Sequence, residues 1–340
     1  MSKFTMSFFT DLHLRGQTPS SRKDDYPQAI LDKLGFCLRH ASKKDFALFG
    51  GDFCHSYKLT SDSIKEKAIS LFDEFLNVPM FYTWGQHDMF GKEYETRQDS
   101  TKAFIFRQAL RHKEKSITEI PIDKDLTFDC GGIKIGLIAC PSGIECIKWS
   151  KRISRRRDPK VDIRIALVHH LLTSEVNNHF LLDIKEFETG TKDNRGFDAV
   201  LCGDLHTGFS PFRNDAGTLF LNPGALARTA KTNSDIARPI RGVDIIIDTE
   251  SKKVDYDFWP VECAGTTEEV YRKEAPVIDD FQMEEIETEE EALGFDEVIS
   301  ALESIGASKI DIWDMLEMKA KEAKLSDDVL KYILSKRPAA

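Results

Sequence analysis

Five short apolar segments of the chain are each followed at once by aspartate or histidine. A single aspartate after such a segment is usually an ordinary turn residue, so the information lies in the repetition. In open α/β sheets, ligands bind at the edge where the parallel strands end. We therefore expect these side chains to converge on one site. The motifs are Asp11-Leu12-His13, Gly50-Gly51-Asp52, Gly85-Gln86-His87-Asp88, His169-His170 and Gly203-Asp204-Leu205-His206.

Strand and helix patterns alternate in the first part of the chain, and strand patterns dominate later. Short apolar and aromatic runs predict buried strands, and apolar residues three to four positions apart predict amphipathic helices. The fold class predicted is α/β, with two packed mixed β-sheets flanked by helices. The predicted strands are 4–9, 45–49, 78–84, 133–139, 163–168, 199–202, 218–221, 243–247 and 254–259, and the predicted helices are 26–41, 64–75 and 101–111.

The length of 340 residues favours one large domain with an appendage, because a single core stops growing near about 250 to 300 residues. Residues 276–297 hold ten of the 57 acidic residues and no Lys or Arg. The other 47 acidic residues balance the 47 basic ones, so the net charge of -10 is local and does not exclude nucleic acid. We expect a catalytic domain at 1–275, an acidic linker at 276–294 and a small helical segment at 295–340.

Cysteine usage and hydropathy indicate the cellular compartment of the protein. Seven cysteines without CxxC spacing argue for reduced thiols, and against a disulfide framework or a zinc ribbon. No stretch approaches the roughly 18 apolar residues of a membrane span. The apolar amino terminus meets Asp11 almost at once, which favours a first strand over a signal peptide. We expect a cytoplasmic protein without a membrane partner.

The residue types in the motifs suit a binuclear metal centre. Two divalent cations about 3.5 to 4 Å apart can clamp a phosphate, acidify a water and stabilise the leaving oxygen. Such a centre needs oxygen and imidazole ligands from several strands and one shared carboxylate. Asp52, just past a strand, is the candidate for the shared ligand.

Read in order as DxH, GD, GxHD, H and GDxH, the motifs resemble those of the calcineurin-like metallophosphoesterases, whose usual forms are DxH, GD, GNHD/E, H and GHxH. The resemblance spans about residues 5–225 and implies the four-layer sandwich of that family. It implies a first metal held by Asp11, His13, Asp52 and His206, and a second held by Asp52, Gln86, His169 and Asp204.

The same resemblance assigns catalysis to the third motif. His87 matches the histidine that assists the leaving oxygen without binding metal, and Asp88 would orient His87 through a hydrogen bond. For the fourth motif we choose His169, the first residue after the strand, with His170 as the alternative. His55, close behind Asp52, is expected to pack, and a contact with substrate is the less favoured alternative.

Two departures from the family pattern fall on the second metal. Gln86 stands where the family has Asn, and Asp204 stands where it has His. Both changes favour oxygen over nitrogen ligands, which predicts Mn²⁺, or else Mg²⁺, over Zn²⁺. If Gln86 does not reach the site, the result would be one tight metal and one weak metal.

Within the family, the arrangement looks most like the SbcD-type phage recombination nucleases. That likeness implies a DNA exo/endonuclease subunit, a partner ATPase of the SbcC type with a long coiled coil, and allows a homodimer. Apolar stripes in 295–340 suit docking on such an ATPase. The chain has no GxxxxGK[ST] motif of its own. A basic segment with one indole suits DNA binding: Lys148, Trp149, Lys151, Arg152, Arg155, Arg156 and Arg157.

Three alternatives stay open at this stage. The basic segment is as well explained by a solvated loop. A small-molecule or cyclic-nucleotide phosphodiesterase would need neither that segment nor a helical tail. A scaffold with an altered second metal site would bind DNA or a partner without catalysis.

Overall fold

A computed structural model describes residues 3–59, 61–109, 116–144, 160–173, 182–183 and 196–277. In chain order, the strands are β1 (Lys3–Phe9), β2 (Phe46–Phe49), β3 (Met80–Tyr82), β4 (Ile117–Glu119), β5 (Leu126–Cys130), β6 (Ile133–Cys140), β7 (Ile163–Val168), β8 (Leu172–Thr173), β9 (Leu182–Asp183), β10 (Ala199–Cys202), β11 (Phe209–Arg213), β12 (Leu219–Asn222), β13 (Arg241–Asp248) and β14 (Lys253–Pro260). The α-helices are α1 (Tyr26–Ala41), α2 (Asp62–Phe75), α3 (Thr101–Ala109), α4 (Asn233–Ala237) and α5 (Thr267–Val270).

Two six-stranded mixed sheets organise the described residues. The first has the order β14-β13-β1-β2-β3-β4, and the second has the order β11-β12-β10-β7-β6-β5. Strands β1 to β4 are parallel to one another, as are β6, β7, β10 and β12. Antiparallel strands flank each parallel set. The parallel strands therefore deliver their following loops to a common edge.

The two sheets pack on each other through alternate residues of their strands. Phe4, Met6 and Phe8 of β1 and Ile163 and Ile165 of β7 belong to one buried cluster with side chains from both sheets. Burial of each such side chain contributes roughly 1.5 to 3 kcal/mol. The alternation fixes the strand register, because a slip of one residue would turn every one of these side chains to the opposite face.

Three helices cover the other face of the first sheet. The Asp25 side chain caps α1 by accepting from the backbone N–H of Gln28, and Pro27 lies in the first turn. The buried stripes of α1, α2 and α3 join a second cluster with residues of β1, β2 and β3, including Phe9, Phe49 and Tyr82. The helices thereby hold the sheet edge from which the first three motifs emerge.

The fold class predicted from sequence is confirmed, and the bounds of α1 and β7 match the prediction. Five strands, β4, β5, β8, β9 and β11, were not predicted, and β3 is shorter than its apolar run. The segments 276–294 and 295–340 lie outside the described residues, apart from 276 and 277. None of the helices in the described part is both long and apolar enough to span a membrane.

Candidate metal centre

The motif side chains converge at the ends of the parallel strands of both sheets. Three ligand atoms from Asp11, His13 and His206 lie within 4.8 Å of one another, as do three from Asp11, Asp52 and His169. The first sheet supplies Asp11, His13 and Asp52 from the ends of β1 and β2. The second supplies His169 and His206, after β7 and β10. Asp11 belongs to both groups, so the two groups form one continuous cluster.

The first group is built around Nε2 of His13. This atom lies 2.9 Å from Nε2 of His206, 3.9 Å from Oδ1 of Asp11 and 3.8 Å from Oδ2 of Asp52. His13 is fully buried, and burial, followed by the nearby His206, lowers the pKa of His13 well below its ordinary value. A neutral imidazole with a lone pair is the form that binds a metal ion.

The second group contains His169, whose tautomer is set by the backbone. Nδ1 of His169 lies 2.7 Å from the carbonyl oxygen of Gly50, which only accepts, so Nδ1 carries the proton. Nε2 therefore faces the cluster, 3.2 Å from Oδ2 of Asp52 and 3.9 Å from Oδ1 of Asp11. A backbone carbonyl commonly orients metal-binding histidines in this way. His170 instead places Nε2 2.8 Å from the carbonyl oxygen of Pro141.

The buried polar atoms at the centre fit a bound cation. Among the described residues, Oδ2 of Asp52 and Nε2 of His169 are buried without a hydrogen-bond partner, although they lie 3.2 Å apart. Burial alone would lower the pKa of His169, but the carboxylates of Asp52 and Asp11 outweigh it and raise this pKa to about 10. The two carboxylates thus favour a positive charge beside them, and a proton on His169 or a bound divalent ion supplies it. The donor set of carboxylates and imidazoles suits Mn²⁺ or Zn²⁺.

Asp52, the predicted shared ligand, approaches an imidazole of each group. Its Oδ1 accepts the backbone N–H of His87 at 2.9 Å, which fixes the carboxylate plane. Its Oδ2 lies near Nε2 of both His13 and His169. Burial would raise the pKa of Asp52, but His169, His87 and other imidazoles hold it well below the usual value. Asp52, a member of the second group, is therefore ionised and also approaches His13 of the first group.

The loops that carry these residues adopt strained backbone conformations. Six non-glycine residues of the described chain have a positive φ, and four of them are predicted ligands: Asp11, His13, Asp52 and Asp204. Left-handed backbone at such residues costs about 1 to 3 kcal/mol each and is concentrated at functional sites. The strained backbone therefore occurs in the same loops that carry the motifs.

Motif glycines leave room for the ligand side chains. A Cβ on Gly85 would lie 2.0 Å from Oδ1 of Asp52, and one on Gly51 would lie 2.3 Å from Nδ1 of His169. A Cβ on Gly203 would meet Nδ1 of His169 at 2.7 Å. These glycines are required because the ligands pack directly against the backbone of neighbouring motifs.

Gln86 and Asp204, the two departures from the family pattern, contact each other. Nε2 of Gln86 donates to Oδ1 of Asp204 at 2.7 Å. The backbone N–H of Asp204 lies 3.2 Å from Oδ1 of Asp11, which keeps Asp204 at the edge of the cluster. The role of this pair as ligands to a second metal stays a prediction.

His87 lies beside the cluster with its ring held by a backbone carbonyl. The rings of His87 and His13 are 5.0 Å apart, and Nδ1 of His87 lies 2.9 Å from the carbonyl oxygen of His55. The ring of His55 stacks on His87 at 5.5 Å and 10°. His55 also joins His13 and His87 in a third set of converging ligand atoms, and its Nε2 lies 3.3 Å from Nη1 of Arg15. The sequence favoured packing for His55, with a contact to substrate as the less favoured alternative, and its place close behind Asp52 did not predict this approach to His13 and His87.

The predicted role of Asp88 requires a correction. Its Oδ1 accepts the backbone N–H groups of Phe53 and Cys54, and its Oδ2 accepts from the backbone of Gly85 and from Lys102. The carbonyl of His55, not Asp88, therefore orients Nδ1 of His87. Asp88 instead ties the loop after β2 to the loop after β3.

Lys102 of α3 holds Asp88 in the position from which it joins the two loops. Its ammonium donates to Asp88 at 2.7 Å and to the carbonyl oxygen of Thr83 at 2.6 Å, and both charged side chains are fully buried. The ammonium also lies over four aromatic rings at 4.6 to 5.8 Å: Phe49, Tyr82, Trp84 and Phe106. The buried charge is thus satisfied by one carboxylate, one carbonyl and an aromatic cage.

A third loop, residues 223–228, supports the first motif. The backbone N–H of Ala227 donates to the carbonyl oxygen of Asp11, and that of Leu226 donates to Thr10. Lys33 of α1 donates to the carbonyl oxygen of Leu226 at 2.7 Å. Burial, followed by the nearby arginine Arg22, lowers the pKa of Lys33 to about 7. The strained backbone of Asp11 is therefore held from outside the metal cluster.

The basic segment predicted to bind DNA, residues 148–157, lies outside the described residues. Its contribution to the site therefore stays a prediction.

The chain matches a known family over most of its length. The model of the family described as calcineurin-like phosphoesterase matches residues 5–249. No curated protein is detectably similar to the chain in sequence.

Solved structures with a similar arrangement share little sequence with the chain. One is a 5'-nucleotidase precursor from Thermus thermophilus, with 14% identity, a TM-score of 0.43, and coverage of 88% of this chain and 60% of that one. Another is GAP50, the anchor in the inner membrane complex of Plasmodium, with 10% identity, a TM-score of 0.47, and coverage of 78% and 87%. A third is the purple acid phosphatase PPD1 from yellow lupin (Lupinus luteus), with 13% identity, a TM-score of 0.40, and coverage of 76% and 54%. The chain thus spans less than two thirds of the nucleotidase.

Proposed function

Because the chain belongs to the calcineurin-like phosphoesterase family, we propose that it is a phosphodiesterase that cleaves DNA with the help of two divalent metal ions. The observation that carries the proposal is the position of Asp52, whose Oδ2 faces His13 of one group and His169 of the other. A carboxylate shared between two ligand groups is what a binuclear centre needs.

Different residues of this chain have different roles in the proposed hydrolysis. Metal ions held by Asp11, His13, Asp52, His169 and His206 would neutralise charge on the phosphate and lower the pKa of water. His87 protonates the leaving oxygen. Its Nδ1 proton is held by the carbonyl of His55, so Nε2 is the atom that exchanges a proton. General acid catalysis of this kind contributes roughly 10²- to 10⁴-fold.

The metal preference follows from the second site. In this proposal Gln86 and Asp204 supply oxygen ligands to the second ion, and oxygen-rich sets suit harder ions. Mn²⁺ is the proposed ion, with Mg²⁺ as a substitute. Activity with Zn²⁺ equal to or above that with Mn²⁺ would contradict this assignment.

The DNA substrate is supported by the sequence. The basic segment with Trp149 suits a polyanion with exposed bases. By the likeness to SbcD-type nucleases, the chain would work in the cytoplasm, or the host cytoplasm for a phage protein. Its partners would be an SbcC-type coiled-coil ATPase docked on the 295–340 segment and, by the same likeness, a second copy of the chain.

One assay tests the reaction and the role of His87 together. Purified protein with Mn²⁺ is given labelled duplex DNA, single-stranded DNA and a chromogenic phosphodiester. We expect cleavage of DNA, at least 100-fold slower turnover in His87→Ala, and unchanged Mn²⁺ affinity of that variant by calorimetry. His40→Ala is the control. His40 is hydrogen-bonded to Asp244 on β13, and neither residue belongs to one of the five motifs.

Three other outcomes would contradict parts of this proposal. Cleavage of the chromogenic substrate alone would indicate a small-molecule phosphodiesterase. DNA binding without turnover in any metal would indicate a scaffold. Full turnover by His87→Ala would remove His87 from the mechanism.

A further inference from the structure

An exposed aromatic pair lies next to the residues of the metal centre. Phe90 follows His87 by three residues and has 48% of its surface exposed, the largest exposure among the large hydrophobic side chains of the described residues. Tyr57, two residues after His55, is half-buried beside it, with ring centroids 5.0 Å apart at 56°. The pair therefore places an accessible aromatic ring at the surface beside the motif residues.

The aromatic pair continues an arrangement that begins in the metal centre. The loop after β2 and the loop after β3 first bring His55 against His87, and then Tyr57 against Phe90. Tyr57 is two residues from His55, a span of at most about 7 Å, and Phe90 is three residues from His87. The aromatic pair is therefore close enough to His87 to contact a base next to a phosphate bound there.

The backbone of both aromatic residues is fixed. The carbonyl oxygen of Tyr57 accepts the N–H of Thr101 at 2.8 Å, and that of Phe90 accepts the hydroxyl of Thr96 at 3.1 Å. Lys58 is exposed and holds its ammonium 5.4 Å from the centroid of the Tyr57 ring. The loops that carry the two rings are thus held in place, and the Lys58 cation over the Tyr57 ring is near enough to pair with a neighbouring phosphate.

We propose that Tyr57 and Phe90 form a stacking platform for an unpaired nucleobase of the strand whose phosphate is cleaved. The inference rests on the proposed function and specifies its substrate, a phosphodiester that carries a base beside the scissile bond. Flat aromatic faces next to a phosphate-processing site match a nucleobase because every base has a π-face, and stacking on aromatic side chains is tolerant of sequence. The platform would hold the strand end or a flipped base while His87 acts on the phosphate.

Fluorescence tests the stacking directly. A single-stranded oligonucleotide with 2-aminopurine near one end is titrated into the full chain with Mn²⁺, in the His87→Ala background so that cleavage does not interfere. Stacking on an aromatic ring quenches this base. We expect quenching with the parent protein, about a tenfold weaker affinity with Phe90→Ala, and recovery with Phe90→Trp.

Phe104→Ala is the matched control, because Phe104 is 42% exposed on α3 while Lys102 and Phe106 of the same helix are buried. A second arm measures cleavage by protein with His87 intact, using oligonucleotides with a base or an abasic sugar next to the scissile phosphate. We expect the abasic sugar to raise KM about tenfold, and Phe90→Ala to abolish the difference. A dinucleotide in place of the oligonucleotide shows whether one base suffices.

The outcomes separate the two proposals. Equal affinity and equal abasic discrimination in Phe90→Ala, in a protein that cleaves DNA, would overturn the platform while leaving the nuclease. A protein with no DNA cleavage and no quenching would overturn both. Loss of quenching in Phe104→Ala as well would indicate a general change of the surface, and the platform would be rejected.

Discussion

Gly85 shows how closely the ligands pack against the loops of neighbouring motifs. The Cα of Gly85 lies against the carboxylate of Asp52, so that an added Cβ would come within 2.0 Å of Oδ1 and 2.5 Å of the backbone nitrogen. Neither atom can move without shifting the proposed shared ligand. The glycine is thus as necessary to the site as the carboxylate itself.

We expect Gly85→Ala to lower Mn²⁺ affinity by roughly 10- to 100-fold, the range seen when groups that orient metal ligands are changed. Isothermal titration calorimetry measures the affinity directly. Gly16→Ala is the control, because a Cβ there meets its nearest atom at an ordinary 3.5 Å. Unchanged affinity in Gly85→Ala would show that Asp52 does not bind the ion as proposed.

For individual residues, the sequence predicted which side chains converge better than it predicted the hydrogen bonds that they make. Asp11, His13, Asp52, His169 and His206 come together because strand ends share an edge, which the apolar pattern already implied. The hydrogen bonds of Asp88 and the approach of His55 depend on how two loops fold against each other. No periodicity encodes that, so both were missed.

Helix α3 acts on the metal centre through a single buried side chain. Lys102 reaches Asp88, which accepts hydrogen bonds from both loops that carry Asp52 and His87. Removing one partner of a buried ion pair leaves the other charge uncompensated. The aromatic cage around the ammonium would then face a carboxylate without its counter-charge.

Lys102→Met should therefore lower the free energy of unfolding by about 3 to 5 kcal/mol, measured by urea denaturation. Asp88→Asn added to Lys102→Met should regain part of this loss, because it removes the unpaired charge. The same substitution at Lys65, whose partner Asp62 is exposed, is the control and should change little. A small loss in Lys102→Met would mean that the carboxylate is compensated from elsewhere.

The elements themselves were predicted where apolar patterns are long. Helix α1 and strands β7 and β10 have the expected bounds. Strands β5 and β11 were missed because they are sheet edges whose exposed residues alternate with half-buried ones, so no continuous apolar run marks them. The run 78–84 is longer than β3 because Trp84 is buried by packing after the strand has ended.

Across the molecule, the metal cluster joins the two sheets. Asp11, His13 and Asp52 follow strands of the first sheet, and His169 and His206 follow strands of the second. An ion bound by both sets links the sheets at their common edge, in addition to the apolar core between them. It also offsets the buried negative charge of the carboxylates.

We expect Mn²⁺ at 100 times its dissociation constant to stabilise the protein by about 2.7 kcal/mol, which raises the unfolding midpoint by roughly 4 to 5 °C for a domain of this size. Thermal unfolding with Mn²⁺ or with EDTA measures the shift. Asp52→Ala should show no shift, since it removes the shared ligand. Equal midpoints for wild-type protein in both conditions would count against a preformed centre.

The order of strands in the first sheet also bears on synthesis. β1 pairs on one side with β2 and on the other with β13, which the ribosome makes more than 230 residues later. At about 5 to 20 residues per second, that interval lasts on the order of tens of seconds. During it, β1 has an open, apolar edge exposed to aggregation, so that this strand depends for protection on a partner strand made much later.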